Sequence, residues 1–361
     1  MLQETSNISG QSPEVTTIKI KELAQYWLSD IKNTMRPSSY ARYSSYVNKY
    51  IIPYIGEIQA YTFDKKKLSV MLGNFYKGNY TDCVLSQYTV CLIEGIIRAM
   101  FRYGTMEHLV PEVYFGKAEY ITKSKKDAIP LSVLETEQLV YVTEQQDFDI
   151  QLQVMLPLYA GLSLSELCGL KWEDIDFKTG KIYVHRHVMR IQKGNSFSGN
   201  PDGIQENVKR IDKKTKTSTT MAECELPKWN SREFLIPEKL YGILENIAHK
   251  KKVDKKSYVA AIDKKTGKGR KSYNEKMFPE NKVPVPPDGR TLQYRLKAIA
   301  GQTWIENLNF QILRDTFAVM CLHAGGDVCS LAYVMGITVP IVCERYKHWI
   351  VNDYEFLNGI G

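Results

Sequence analysis

Residues 159–176 read YAGLSLSELCGLKWEDID, and the reading of this stretch decides the fold. It closes an apolar run, QLQVMLPLYAGLSLSELCGLKW (151–172), and its end, WEDIDF (172–177), reads as a turn from helix into strand. Just downstream, KIYVHRHVMRI (181–191) alternates apolar and polar residues as a half-buried strand does. Residues 192–226 form a polar excursion rich in Gly, Asn and Thr with no convincing period. PKWNSREFLIP (227–237) then reads as a turn and strand, EKLYGILENIAHK (238–250) as a helix, and the remainder as helical to Asn352. Upstream, LSVLETEQLVYVTEQ (131–145) predicts a helix that begins at Thr136 and Glu137.

Ahead of this region lies a different texture. Residues 1–15 are polar and aperiodic, which predicts a disordered lead-in. From Ile18 onward, Ile20, Leu23, Ala24, Trp27, Leu28 and Ile31 recur at three- and four-residue steps and make one apolar helical face. A second helix follows Pro37-Ser38-Ser39, where a serine can cap, with Tyr40, Tyr43, Tyr46, Val47 and Tyr50 on one side. Pro53 is expected to stop it and Gly56 to turn the chain. Helices over 64–77 and 85–107 complete a small bundle, the second burying Leu92, Ile93, Ile96, Ile97, Met100 and Phe101. A Lys-rich connector, GKAEYITKSKKDAIP (116–130), reads as a linker. The expected organisation is therefore a lead-in (1–15), a helical domain (16–115), a linker (116–130) and a second domain (131–361).

Composition narrows the class of function. A length of 361 residues suits two domains, and 43% hydrophobic with 11% aromatic residues is globular. A net charge of +8 favours a polyanionic partner, because cations near phosphates release condensed counterions. Residues 250–276, with eleven Lys or Arg against three acidic residues, are either a solvated loop or a DNA-backbone contact that includes Lys251 and Lys252. Seven scattered cysteines without CxxC spacing suggest reduced thiols, mostly packed as small hydrophobes. No signal-type opening and no run of about 18 apolar residues occurs, so no membrane role is expected. GxxxxGK[ST], GxGxxG after a strand, HExxH and zinc-type Cys/His spacings are absent. His185 and His187 lack a third ligand, and Glu173, Asp174 and Asp176 fit the turn better than a two-metal site. No metal and no cofactor is implied.

What remains is a dispersed constellation. Residues 161–176 resemble the segment GLRxSELxxLxWxDID of the tyrosine recombinases, or phage integrases, matching at Gly161, Leu162, Ser165, Glu166, Leu167, Leu170, Trp172, Asp174 and Asp176. PKWNSREFLIP resembles the hairpin carrying that family's lysine, FQILRDTFA (310–318) its HxLRHTFA helix, and MGITVPIVCERYKH (335–348) its LGHxxxxxTxxYxH segment. WLSDIKNTMRPSSYARYSSYVNKYIIPYIG (27–56) resembles the core-binding domain. Each motif is weak alone, but four in the family's order behind a matching helical domain are specific.

The resemblance implies a mainly α fold with a small antiparallel sheet, a helical SAM-like core-binding domain and a catalytic domain closing as a clamp around DNA. It implies strand exchange through a 3′-phosphotyrosine, which conserves the bond energy and needs no cofactor. Tyr346, ten residues after Gly336, takes the nucleophile's place; Arg314 that of a phosphate-binding arginine; Lys228 that of the general acid, with Lys214 as a rival. Ser39, Arg42, Tyr43, Lys251 and Lys252 are candidate DNA contacts. Three pocket positions depart from the family: Ser163 replaces an arginine, Gln311 a histidine and Ile337 a histidine or tryptophan. Losing one preorganised donor costs about a hundredfold to a thousandfold in rate, so the pocket should be slow or dead unless Arg186 or Arg190 supplies the missing charge. The implied partners are double-stranded DNA, a homotetramer on DNA with the tail after Trp349 on a neighbour, and host or element-encoded DNA-bending or directionality factors. The implied setting is the bacterial cytoplasm at the nucleoid. The alternative is a DNA-binding accessory or regulator that has lost cleavage.

Overall fold

The structure is a computed structural model that describes residues 18–35, 37–81, 84–113, 115–116, 127–192, 209–211, 219–251, 254–261 and 286–350. The described residues divide into two compact units at about residue 125.

Among its described residues the first unit is helical: α1 (Ile20–Thr34), α2 (Pro37–Tyr46), a π-helical turn (Val47–Ile51), α3 (Ile52–Ile55), α4 (Lys65–Lys77) and α5 (Gln87–Met106). Helices as short as α2 and α3 are marginal alone in water, so packed faces decide the structure. The predicted stripe of α1, from Ile20 through Ile31, is buried, and Ile93, Ile96, Ile97, Met100 and Phe101 of α5 complete the same core with Phe63 and Phe75. Asp64 and Ser86 cap α4 and α5 by accepting the Lys67 and Thr89 N–H groups. Pro53 does not stop the helix as the sequence suggests. The π turn restarts the helix at Ile52, which puts Pro53 in the first turn of α3, where its missing N–H is no loss.

The second unit opens with α6 (Val133–Glu144), α7 (Phe148–Ala160) and α8 (Leu164–Gly169). Helix α6 starts at Val133 and not at Thr136, because Ser132 and Glu135 form a capping box. A 3-10 turn (Trp172–Asp174) leads into β1 (Ile175–Asp176), as WEDIDF suggests. Two three-stranded antiparallel sheets follow. One is ordered β1-β2-β6, with β2 (Lys181–Val184) and β6 (Arg232–Leu235) in the register Ile182↔Phe234; the other is ordered β3-β5-β4, from β3 (Arg186–Gln192), β4 (Lys209–Ile211) and β5 (Thr219–Glu225). The single strand expected over 181–191 is thus broken at His185 and shared between sheets. The aperiodic stretch 192–226 holds β4 and β5, which were not foreseen. On β5 the pattern is blurred because small Ala222 and Cys224 are buried beside a buried Glu223 that accepts from Lys171 at 3.1 Å and from Tyr258.

Among the described residues the unit finishes with α9 (Glu238–Lys251), α10 (Gly289–Ala300), α11 (Phe310–His323), α12 (Val328–Met335) and α13 (Val339–Arg345). The last ends seven residues before Asn352, and Tyr346 is its C-cap. One core gathers Leu139, Leu156, Leu167, Ile182, Leu244, Leu292 and Leu313, and a second gathers Phe317, Leu331, Met335, Val342 and Tyr346. Helix α11 contributes to both, so it is the beam on which the site is hung. Of the cysteines, Cys168 and Cys224 are buried while Cys329 and Cys343 are exposed, so small-hydrophobe packing holds for only part of the set. No single helix among the described residues is long and apolar enough to cross a membrane.

Candidate active site

Close packing brings the dispersed motifs together. Gly161 ends α7 at φ +61°, and a Cβ there would lie 2.4 Å from the Phe317 ring of α11, so only glycine lets the start of α8 approach α11 this closely. Ser163 is the N-cap of α8. Its N–H donates to Glu166 Oε2 at 2.8 Å, and its Oγ accepts from the Glu166 N–H at 3.4 Å. Ser163, expected to stand where the family has an arginine, thus has a local job: it closes a capping box and presents Glu166 inward.

Glu166 is the electrostatic centre. Its Oε1 accepts from Arg232 Nη1 at 2.8 Å, and Arg314 Nη1 lies 3.7 Å from Oε2. All three side chains are at most 10% exposed. Burial alone would push the Glu166 carboxyl up, but the charge and hydrogen bond of Arg232, the charge of Arg314 and the Ser163 N–H hold it below the ordinary value. Burial also lowers the Arg314 pKa, with Arg232 repelling it and Glu166 opposing the shift. Arg314 donates to the Met335 carbonyl, and Arg232 Nε donates to the Val334 carbonyl at 2.7 Å, so both guanidiniums fasten the end of α12. Arg232 Nη2 has no hydrogen-bond partner among the described residues.

Gly336 follows at φ +61°, and a Cβ would lie 2.4 Å from Asn230 Oδ1 and 2.6 Å from Arg232 Nη1. The turn before β6, closed by Asn230 N–H and Ser231 N–H donating to the Pro227 carbonyl, therefore abuts this glycine. Lys228 is exposed on that turn and carries no ion pair among the described residues. Gly336→Ala should cost about 2–4 kcal/mol, combining αL strain with overpacking. Gly180→Ala, also at positive φ but with open space around its Cβ, should show the strain alone, about 1–3 kcal/mol. Urea denaturation midpoints of the two variants measure the difference.

Tyr346 is fully buried, and its hydroxyl donates to Asp315 Oδ1 at 2.8 Å. Asp315 Oδ1 also accepts from Arg345 Nε at 2.9 Å and from Gln311 Nε2 at 2.9 Å, and Oδ2 accepts from Arg345 Nη2 at 2.6 Å. Burial first, then the charge and hydrogen bond of Asp315, push the Tyr346 hydroxyl well above the ordinary tyrosine value, with Arg345 partly opposing. The resting hydroxyl is protonated and enclosed. Ile337 packs half-buried against the second core, and Gln311 spends its amide on Asp315.

Other candidates lie elsewhere. Arg186 pairs with Glu173 at 3.2 Å and with Asp174, and Arg190 pairs with Asp288; among the described contacts neither joins Glu166, Arg314 or Tyr346. His185 Nε2 lies 3.0 Å from Asp174 Oδ1. No His, Cys, Asp or Glu group suited to a metal occurs among the described residues. In the first unit Arg42 is exposed and lies over the Tyr43 ring, which stacks on Trp27; Ser39 is half-buried. Lys214, Lys252, the side chain of Lys251 and the tail from residue 351 lie outside the described residues.

Sequence reading missed Arg232, Asp315 and Arg345. Arg232 had a signal: in REFLIP it falls in the inward phase of the strand, where a charge must find a partner. Asp315 and Arg345 had only their places beside Arg314 and Tyr346.

Residues 131–350 match the model of the phage integrase family, and residues 19–60 match that of the phage integrase N-terminal SAM-like domain. A "Tyrosine recombinase XerC-like" protein of Caldanaerobacter subterraneus subsp. tengcongensis is 21% identical, over 98% of this chain and 86% of its own length. The Tn1549 transposon integrase, solved with circular intermediate DNA, shares the fold at a TM-score of 0.64 and 14% identity, covering 95% of this chain and 98% of that one. Lambda integrase, solved as a tetramer bound to a Holliday junction, shares it at 0.57 and 14%, covering 92% and 83%.

Proposed function

Because the chain belongs to the phage integrase family of tyrosine recombinases, we propose that it binds duplex DNA site-specifically and exchanges strands slowly through Tyr346. The observation that carries this reading is the convergence of Glu166, Arg314, the Lys228 turn and Tyr346 around the end of α12. In the reaction Tyr346 Oη gives its proton to Asp315, which accepts from it at 2.8 Å, and attacks the scissile phosphorus; a 3′-phosphotyrosine forms, and the bond to the 5′-oxygen breaks. Lys228 protonates that oxygen, and Arg314 binds a non-bridging oxygen. A free 5′-hydroxyl of a second strand then reverses the step. The assembly on DNA is a homotetramer, helped by DNA-bending or directionality factors, and it works in the bacterial cytoplasm at the nucleoid.

A second reading, an accessory protein that binds DNA without cutting it, is favoured by the enclosed Tyr346 hydroxyl together with Ser163, Gln311 and Ile337 in the pocket.

Fluorescence anisotropy with a 30-base-pair duplex tests the shared part. Affinity should fall steeply with salt, log K against log[salt] having a slope of about −0.9 per phosphate contacted. Arg42→Ala should reduce that slope by about one contact. Affinity indifferent to salt would sink both readings.

A further inference from the structure

We propose that Arg345 is a partner-exchanging residue: at rest it secures Asp315 as a latch on Tyr346, and on DNA it turns to the scissile phosphate and supplies the cation that position 163 lacks. The inference rests on the DNA-binding reading above.

Three observations carry it. First, attack requires the Tyr346 oxygen to meet a phosphorus atom, yet Tyr346 is 0% exposed and its hydroxyl is taken by Asp315 at 2.8 Å, so the resting arrangement must open. Second, the latch has its charged outlet to solvent at Arg345, whose side chain is 28% exposed against 2% for Asp315. A guanidinium holding a carboxylate through Nε and Nη2 presents the fork that also fits two phosphate oxygens. Third, the neighbouring guanidiniums have other work: Arg186 and Arg190 of β3 hold Asp174 and Asp288, Arg232 lies under Gly336 and holds Glu166, and Arg314 stands at its own expected family position.

Arg345 adjoins the nucleophile in sequence and lies within hydrogen-bonding reach of its hydroxyl. The groups around that hydroxyl are Asp315, Arg345 and, farther off, Arg314, so exchanging one ion partner changes its surroundings decisively. The exchange itself moves no proton and breaks no covalent bond.

The test places 3-fluorotyrosine at position 346 of the full chain and follows its fluorine resonance against pH. In the wild-type chain the hydroxyl should stay protonated to the limit of the fold. Asp315→Asn, which keeps the cation and removes the anion, should lower the midpoint by about one pH unit or more. Arg345→Gln should leave the hydroxyl protonated throughout, and Arg345→Lys should resemble the wild type. If Asp315→Asn and Arg345→Gln both drift to the value of free tyrosine, the residues are merely structural and the latch is wrong.

A saturating 30-base-pair duplex, its binding followed by anisotropy in the same sample, should move the wild-type resonance toward that of Asp315→Asn and leave Arg345→Gln unmoved. Bound duplex with an unmoved wild-type resonance would overturn the exchange while the DNA-binding reading stands. Absence of duplex binding would overturn that reading, and the exchange with it.

Discussion

Glu166→Gln should cost the second unit about 3–5 kcal/mol, because it leaves two buried guanidiniums without their carboxylate. Both sides of the pair are enclosed: the Arg232 side chain is 1% exposed and Glu166 5%, so water cannot take over the lost partner. The neutral amide keeps the size of the carboxylate and one acceptor, which separates loss of charge from loss of volume. Glu233→Gln is the control. It breaks an ion pair with Lys181 of similar length, 2.9 Å, in which the side chains are 44% and 58% exposed, and it should cost about 1 kcal/mol at most. Urea denaturation gives both values.

The same carboxylate sets a pH dependence. The folded-state pKa of Glu166 lies below its unfolded value of about 4.5, so its contribution is fully present above that pH and is lost as pH falls through the folded pKa. Glu166→Gln should be flatter than the wild type in that acid range. Equal acid slopes would mean that the pair does not hold the unit together.

The second large effect concerns chemistry. Restoring the family residues in a Ser163→Arg/Gln311→His/Ile337→His variant should raise the rate of covalent adduct formation with nicked duplex DNA by about a hundredfold to a thousandfold, the effect of one preorganised donor. Three restored positions need not multiply, because residues of one pocket act as a unit. There is a structural cost. Ser163 caps α8, and its replacement should lose about 1 kcal/mol of stability even as the rate rises. Gln311→His also removes an amide that now donates to Asp315, which loosens the latch on Tyr346. Because Arg345 is proposed to supply the charge that position 163 lacks, the gain should come from positions 311 and 337, and Ser163→Arg alone should add little. A restored variant no faster than the wild type would mean that positions 311 and 337 do not limit the rate.

What the sequence could show follows the range of the interactions. Stripes such as Ile20 to Ile31 repeat within one helix, so the helical unit was legible. The four motifs were legible because each is a short local string. Strand β5 was not, since its buried side chains are small or charged and its place in the sheet is fixed by pairing with β3 across the polar excursion. Arg186 and Arg190 looked available because the carboxylates that engage them, Asp174 and Asp288, are 12 and 98 residues away. Asp315 and Arg345 were overlooked for the same reason: their pairing spans 30 residues and is made by the turn between α12 and α13. The residues of the pocket could be read one by one, but the contacts among them exist only in three dimensions.

Covalent trapping on nicked duplexes taken from the DNA flanking the gene is the most direct test of Tyr346 as the nucleophile. The native chain is compared with Tyr346→Phe, and DNA binding is checked in parallel. The expected result is a slow, denaturation-resistant adduct with the native chain and none with Tyr346→Phe, which still binds the duplex. An adduct that survives in Tyr346→Phe, or none from either the native or the restored chain on DNA that both bind, would contradict it.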